Sequence, residues 1–347
     1  MSLTRTAYTS RLLIKYGSVG IVLFAVLWSG VIAGIKAYKK AHPPYQPPTV
    51  RYGVLPKIVF PEKTFDKKSF VMEFPNDSAP GFGDQARVYV VFRPETRFLA
   101  LEIDTQTARS LGFDGNPAEV SPGIYRFRND NLNKTLTMNV LESSFKMEYP
   151  YLSDQLLLSN KRYLSTEDAI REANNFLRSG GKLTADLDEG NKQTKLFKIE
   201  MGSMKEVSSI SEANAVKVDF YRKSFEGGEP ILTANYNSAS VSVLVSGSDT
   251  AGKRIIEADY KYVPIDRESY STYPIKTAAQ AIDDLKRGNY WPVKDIESNN
   301  ATIRRMYLAY FEPITLTNYM QPIFVFEGDG GFVAYVPAIV DKYIQTD

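Results

Sequence analysis

The sequence has no cysteine and only one histidine, His42, which stands directly before two prolines. Without cysteine the chain can form no disulfide, no thiol nucleophile and no thiolate metal site. A single histidine in a proline-rich linker also excludes the Ser-His-Asp and Cys-His mechanisms and histidine-ligated zinc chemistry. Most hydrolase mechanisms are therefore excluded. The lack of cysteine does not identify the cellular compartment, because many envelope proteins also have none.

Motifs that bind phosphate or nucleotides are absent as well. The sequence has no G-x-S-x-G motif, no P-loop and no dinucleotide fingerprint, and residues 328–331 join two predicted strands rather than a strand and a helix. Residues 1–45 hold six basic and no acidic side chains, so the rest of the chain has a slight acidic excess. We therefore predict no cofactor and no nucleic-acid partner.

Clusters of carboxylates are the remaining source of acid–base chemistry. Asp283 and Asp284 form one cluster, and Asp186, Asp188 and Glu189 form another. Neither has the ligand spacing of an EF-hand, and charged loops are usually just solvated. We therefore predict neither a catalytic nor a metal-binding residue, and we keep a carboxylate-dependent hydrolase as an alternative.

Residues 16–35 form a run of twenty residues without a charged side chain. At ~1.5 Å per residue, a helix of this length matches a hydrocarbon core of about 30 Å. We predict a transmembrane helix over residues 16–37, after a short basic tail at 1–15. Lys15 and Lys36 flank the run and can reach the lipid headgroups. The alternatives are a cleaved signal peptide and a buried core helix.

The segment after this run predicts how the rest of the chain is connected to the membrane helix. Residues 38–50 contain four prolines, which favour an extended stalk. Because a short basic tail before a first apolar segment behaves as a signal anchor, we expect the N-terminus in the cytoplasm and the large domain outside the cell membrane, in a bacterial envelope. Gly30 and Gly34 have the small-xxx-small spacing that permits helix association, so they predict a homodimer contact; the alternative is the ordinary frequency of glycine in such helices.

The remainder of the chain favours β-structure, since it is rich in tyrosine and phenylalanine. We predict an α+β fold of tandem helix-on-antiparallel-sheet units, at residues 51–160, 161–270 and 271–347. One helix is predicted at 96–111, ending before Gly112. Alternating apolar residues predict strands at 86–92, 123–128, 135–141, 195–200, 215–221, 231–236, 240–246, 254–263, 303–311, 322–327 and 332–336.

Two further helices have similar N-terminal signals. Ser165 and Thr277 are predicted N-cap residues, each followed three residues later by a side chain that can complete a capping box, Asp168 and Gln280. An Ala-Ile pair follows each cap at the same offset. Each helix therefore has one apolar stripe, which must pack on a sheet.

These two segments, YLSTEDAIREANNFLRSGG from residue 163 and YPIKTAAQAIDDLKRGNY from residue 273, carry a resemblance to known proteins. Together with Tyr307–Phe311 and the Gln321-Pro322 entry into the last hairpin, they resemble the PepSY-like superfamily. The C-terminal part is most similar to the YycI/YycH-type regulators. The resemblance implies a single-pass envelope protein that binds other proteins, in the YycI case a membrane histidine kinase. It implies no catalytic residue.

Aromatic residues near the C-terminus are the candidate binding residues. Rigid amphipathic rings are favoured at protein interfaces and saccharide-binding faces, whereas the alternative is packing within the sheet. We expect a membrane-anchored binding or regulatory module with an unknown envelope protein as partner, and keep a glycan-binding or peptidoglycan-binding scaffold as an alternative. The candidate aromatic residues are Tyr307, Tyr310, Phe311, Tyr319 and Tyr335.

Overall fold

The computed structural model describes residues 3–41, 45–92, 99–155, 157, 164–236, 238–250, 252–313 and 317–345. Two compact units are distinguished, Met1–Pro48 and Thr49–Asp347. The first contains helix α1 (Leu3–Ala41), which includes the uncharged run. No helix meets the length and hydropathy required of a membrane span within the described ranges. His42, two stalk prolines and residues 96–98 of the predicted second helix lie outside the described residues.

The second unit contains the strands and the remaining helices. The helices are α2 (Ala100–Ser110), α3 (Thr166–Ser179), α4 (Ala185–Asp188) and α5 (Ala278–Arg287). The strands are β1 (Ser69–Met72), β2 (Gln85–Val91), β3 (Ala118–Ser121), β4 (Ile124–Asn129), β5 (Lys134–Asn139), β6 (Ser144–Glu148), β7 (Lys192–Glu200), β8 (Ser203–Val207), β9 (Ala215–Phe220), β10 (Ile231–Leu232), β11 (Val241–Ser246), β12 (Ile255–Tyr260), β13 (Ile265–Pro274), β14 (Trp291–Lys294), β15 (Asn300–Phe311), β16 (Tyr319–Met320), β17 (Pro322–Gly328) and β18 (Val333–Pro337).

The strands of the described residues form three sheets. The large sheet has the order β3-β4-β5-β6-β12-β11-β9-β7-β8, and all of its pairs are antiparallel. The middle sheet has the order β1-β15-β17-β18-β14, with β10 also paired to β15. The small sheet has the order β13-β2-β16 and is antiparallel. The fold is therefore α+β with several antiparallel sheets, as the sequence predicts.

Helix capping explains where α3 and α5 begin. The Ser165 side chain accepts a hydrogen bond from the Asp168 backbone N–H at 3.0 Å, so the predicted cap is confirmed. Thr277 and Gln280 form the complete capping box, in which each side chain accepts from the backbone of the other. Helix α5 ends at Gly288, whose φ of 91° is the left-handed conformation that glycine adopts without strain.

Each of these helices buries its apolar stripe. Ala173 and Leu177 of α3 lie in the core of the large sheet, and the helix contacts β9, β11 and β12. Ala281 and Leu285 of α5 lie in a second core with residues of the middle and small sheets. The amphipathic pattern read from the sequence therefore places both helices on sheets.

Most strand predictions agree with the structure to within three residues at either end. The predicted strand at 231–236 is shorter, since only Ile231–Leu232 pairs as β10. The described strands that the sequence did not indicate are short, irregular or far from their partners in the chain. They are β1, β3, β6, β8, β13, β14 and β16.

Candidate functional site

Three of the five candidate aromatic residues are buried. Tyr310 and Phe311 are 2% exposed and Tyr335 is 0% exposed. The Tyr310 hydroxyl donates to the Arg87 carbonyl oxygen at 2.9 Å, so its polar end is satisfied inside the protein. These rings pack within the sheets and offer no surface to a partner in this fold.

The other predicted residues are less buried. Tyr319 is half-buried and stacks on Tyr52, with the ring centroids 4.8 Å apart. Tyr307 is half-buried and faces a groove. Gly30 and Gly34 are exposed on α1, and a Cβ atom at either would meet no described atom within 4 Å.

The groove lies at an edge of strand β15 that is only partly paired. One edge of β15 is covered by β17 in an antiparallel pair. On the other edge, β1 pairs in parallel up to Ile303, and β10 pairs in parallel from Tyr310 onward. Between them, no described strand pairs with residues 304–309 on this side. We call this stretch the open edge.

Backbone hydrogen bonds show which groups face the open edge. The N–H of Tyr310 donates to the Pro230 carbonyl at 2.9 Å, on the side where β10 lies. Residues 305–310 pair with β17 in unbroken register, and alternate residues of a strand direct their N–H and C=O groups to the same side. Met306 and Leu308 therefore direct their backbone groups towards the open edge.

The groove beside the open edge has a volume of about 830 Å³. Its lining residues come from both faces of the middle sheet. Phe82, Ile275 and Leu308 belong to the core that β15 shares with α5 and the small sheet. Tyr236 and Tyr307 belong to the core on the opposite face. A groove that reaches both faces of a sheet has the position of a missing strand.

Glu327 is the charged centre of the groove. The hydroxyls of Tyr307, at 2.9 Å, and of Tyr236 both donate to its Oε1 atom. Arg305 pairs with the other carboxylate oxygen at 3.0 Å. Burial, followed by the neighbouring Glu327 carboxylate, raises the pKa of Tyr307 and of Tyr236, so both hydroxyls stay protonated donors at neutral pH. The carboxylate is therefore held in one orientation.

Two glycine-containing loops border the groove. Gly81 and Gly83 lie in the loop before β2, and Gly227 and Gly228 lie in the loop before β10. Gly228 has a φ of +87°, which other residues rarely adopt, and its N–H donates to the Phe225 carbonyl at 2.9 Å.

Phe225 fixes this second loop on the core. Its ring stacks on Tyr89 with the centroids 4.1 Å apart and lies 4.4 Å from the ring of Tyr310. The loop is therefore positioned by buried aromatic rings rather than by the groove itself. The arrangement offers fixed hydrogen-bonding groups, one charged centre, one apolar wall and one wall of tyrosine rings, which are features of a recognition site.

Four of the five carboxylates considered for acid–base chemistry take part in ion pairs, namely Asp186, Asp188, Glu189 and Asp284. Asp186 accepts from the buried Arg222 at 2.9 Å. Burial acts to raise the pKa of Asp186, but Arg222 together with the hydrogen bonds from Thr184 and Tyr262 outweighs it, so the pKa is lowered. Asp284 accepts from Lys276 at 2.7 Å. In the part of the chain that the structure describes, no three histidine or acidic side chains lie close enough to hold a metal ion.

Lys134, on strand β5, is buried, as Arg222 is. It is 6% exposed, and its ammonium donates to the Ile255 carbonyl oxygen. The ammonium groups of Lys134 and Lys253 each lie 5.7 Å from the centroid of the Tyr149 ring. Burial lowers the pKa of Lys134 to about 8.

This lowered pKa predicts a dependence of stability on pH. Between about pH 8 and the usual lysine pKa of 10.5, the unfolded chain holds the Lys134 proton and the folded chain has released it. Because the unfolded state then binds more protons, the free energy of unfolding rises with pH. We expect Lys134→Met to remove this rise. We also expect it to add roughly 1–3 kcal/mol to the free energy of unfolding at pH 7, since one pKa unit corresponds to about 1.4 kcal/mol.

The measurement is urea unfolding of both proteins between pH 7 and 9, which ends one unit below the usual tyrosine pKa of about 10. Lys146→Met is the matched control, because Lys146 is exposed and pairs with Glu148 at 2.6 Å. We expect the control to keep the rise. If the free energy of unfolding of Lys134→Met rose as much with pH, the rise would not come from the lowered pKa of Lys134.

Sequence reasoning identified Tyr307 but missed Glu327 and Tyr236. Arg305 and Glu327 are partners in the register of β15 and β17, whereas Tyr236 lies in a loop about ninety positions earlier in the chain. The predicted strands at 303–311 and 322–327 are consecutive in the chain, so pairing them as an antiparallel hairpin could have placed Arg305 opposite Glu327, as opposite charges across the pair. No sequence signal connects either residue with Tyr236.

Comparisons with known proteins find distant structural similarity. No protein-family model matches the chain, and no curated protein matches its sequence. An uncharacterized protein from Eubacterium rectale is similar with a TM-score of 0.40 and 12% identity, over 78% of this chain and 88% of that chain. The Bacillus megaterium YpeB C-terminal domain is similar with a TM-score of 0.29 and 14% identity, over 72% of this chain and 95% of that chain.

Proposed function

We propose that this chain is a membrane-anchored binding module of the bacterial envelope, which contacts another protein through the groove at the open edge. The observation that supports the proposal most directly is the groove itself, with Glu327 held by two tyrosine hydroxyls beside the stretch of β15 where no described strand pairs. Fixed polar groups in a groove with one apolar wall favour recognition of a partner.

Membrane attachment is the second part of the proposal. Its support is the sequence of residues 16–35, which has no charged side chain and has the length of a bilayer span. Residues 38–50 would then hold the second unit away from the lipid, and Gly30 and Gly34 would face a second α1 helix in a homodimer.

The resemblance to YycI-type proteins gives this function a specific form. Restraint of a membrane histidine kinase is the role that the resemblance implies, and it requires contacts with another membrane protein. A glycan scaffold needs several exposed rings, yet Tyr310, Phe311 and Tyr335 are buried. We therefore prefer a protein partner to a glycan or peptidoglycan.

The test is photo-crosslinking in the cells that naturally make the protein. A photoreactive phenylalanine analogue replaces Arg305, whose side chain is 68% exposed at the groove. After illumination and cell fractionation, we expect the chain in the membrane fraction, joined to one other protein that mass spectrometry can identify.

The matched control carries the same analogue at Lys205, an exposed residue of β8 at the far end of the large sheet. We expect no specific adduct from this position. Recovery of the chain in the soluble fraction would overturn the anchor, and the same adducts from both positions would overturn the groove as the binding site.

A further inference from the structure

We propose that the open edge binds an extended segment of the partner protein, which lies in the groove as a strand parallel to β1 and β10. This inference rests on the proposed function and specifies how the partner is bound. It follows from three features of the groove. They are the orientation of the flanking strands, the backbone groups that the open edge leaves without a described partner strand, and the different chemistry of the two walls.

The flanking strands set the direction and length of the bound segment. Both β1 and β10 run parallel to β15 and lie on the same edge. A strand inserted between them continues the middle sheet when it runs the same way, from the end of β1 towards the start of β10. Residues 304–309 span about 20 Å at ~3.3 Å per residue, so the gap holds roughly four to six residues.

The backbone of β15 supplies the hydrogen bonds. Met306 and Leu308 each direct one N–H and one C=O group towards the gap, as shown by their register with β17 and by the Tyr310 bond to Pro230. These groups match the slanted hydrogen bonds of a parallel pair. Binding by strand addition uses such main-chain bonds for affinity and side-chain pockets for specificity.

The walls of the groove select the side chains of the segment. Successive side chains of a strand point to opposite faces of its sheet. One face of the groove has Phe82, Ile275 and Leu308, and the other has Tyr307 and the carboxylate of Glu327. The segment is therefore expected to alternate apolar side chains with polar ones.

The charge of the groove indicates which residues occupy the polar positions of the bound segment. The charged residues that line the groove are Glu229, Glu327 and Arg305, which leave an acidic excess of one. A lysine or arginine on the polar side of the segment complements this excess, whereas an acidic residue would be repelled. The occupant is thus an extended segment that alternates apolar and basic residues.

The test uses fluorescent, acetylated hexapeptides that alternate valine or leucine with lysine or arginine, added to the full chain in detergent. Fluorescence anisotropy measures binding, and deuterium exchange followed by mass spectrometry measures protection of residues 304–309. We expect saturable binding and at least tenfold slower exchange at Met306 and Leu308. Replacing the basic residues by glutamate is expected to weaken binding at least tenfold.

Two changes separate strand addition from a simple charge contact. N-methylation of alternate peptide amides, on the edge that faces β15, removes donors and keeps the charge, and it is expected to weaken binding at least tenfold. Glu327→Gln is expected to weaken binding several-fold. Glu206→Gln, at an exposed residue of β8, is the matched control and is expected to leave binding unchanged.

Several results would overturn the inference. They are the absence of binding by every peptide, binding without protection of residues 304–309, and equal binding of the N-methylated peptide. Protection that is present without peptide and disappears on dilution would show that a second copy of this chain occupies the edge. In each of these cases, an adduct from position 305 but not 205 in cells would leave the proposed function intact, because that experiment does not depend on peptides.

Discussion

Replacing Arg222 by methionine is expected to lower the free energy of unfolding by about 3–5 kcal/mol, because it leaves the buried Glu312 carboxylate without its ion-pair partner and leaves Asp186 with only the longer pair to Arg267, at 3.8 Å. The Arg222 side chain is 1% exposed. It donates to Glu312 at 2.9 Å and to Asp186 at 2.9 Å, and its guanidinium lies 4.4 Å from the centroid of the Tyr262 ring. Burial acts to lower the pKa of Arg222, but Glu312, Tyr262 and Asp186 outweigh it and the pKa is raised.

The measurement is urea unfolding of the full chain in detergent, followed by tryptophan fluorescence. Lys223→Met is the matched control, since the neighbouring Lys223 pairs with Glu189 at 2.6 Å but both side chains are more than half exposed. An exposed pair of this kind contributes about 0–1 kcal/mol.

The stability lost through an unpaired buried charge can be distinguished from the stability lost through poorer packing. A triple variant, Arg222→Met with Asp186→Asn and Glu312→Gln, no longer buries an unpaired carboxylate. We expect it to recover much of the lost stability. A triple variant as unstable as Arg222→Met alone would show that packing of the guanidinium, rather than its charge, is what matters.

Replacing Tyr335 by alanine is expected to cost about 3–5 kcal/mol, as for other large aromatic residues in a core. Its ring is fully buried, 5.8 Å from the centroid of Trp291 and 6.1 Å from that of Phe311. If Tyr335 instead served a binding surface, its loss would weaken partner binding and leave stability nearly unchanged.

Tyr335→Phe is the control for this substitution. It keeps the ring and removes only the hydrogen bond from the hydroxyl to the Thr233 carbonyl oxygen, 3.2 Å away. The expected cost is about 0.5–1.5 kcal/mol. Urea unfolding measures both variants, and an alanine variant as stable as the phenylalanine variant would contradict the packing described here.

The sequence predicts those parts of the fold that depend on neighbouring residues. The caps at Ser165 and Thr277 are confirmed because a cap joins groups three residues apart. The paired helices and most long strands follow from their apolar spacing. Strand β1 was missed because it has four residues and its partner lies more than two hundred positions later in the chain.

The site was only partly predictable for a related reason. Strand β15 is buried on both faces near its C-terminal end, so Tyr310 and Phe311 are both in cores although their side chains point in opposite directions. A sequence shows that a ring lies on a strand, but the number of covered faces depends on the sheets above and below it. The open edge depends on where β1 and β10 stop, which is a property of the assembled sheet.

The pairing of β1 with β15 also affects the order in which the protein can fold during synthesis. The strands of the large sheet all lie between residues 118 and 260, so that sheet can close before the last quarter of the chain is made. Strand β1 must wait for residues 300–303 to emerge. Such distant pairing slows folding and leaves an early segment exposed to misassembly. We expect the N-terminal part of the second unit to be the part that most needs a chaperone while the chain is being synthesised.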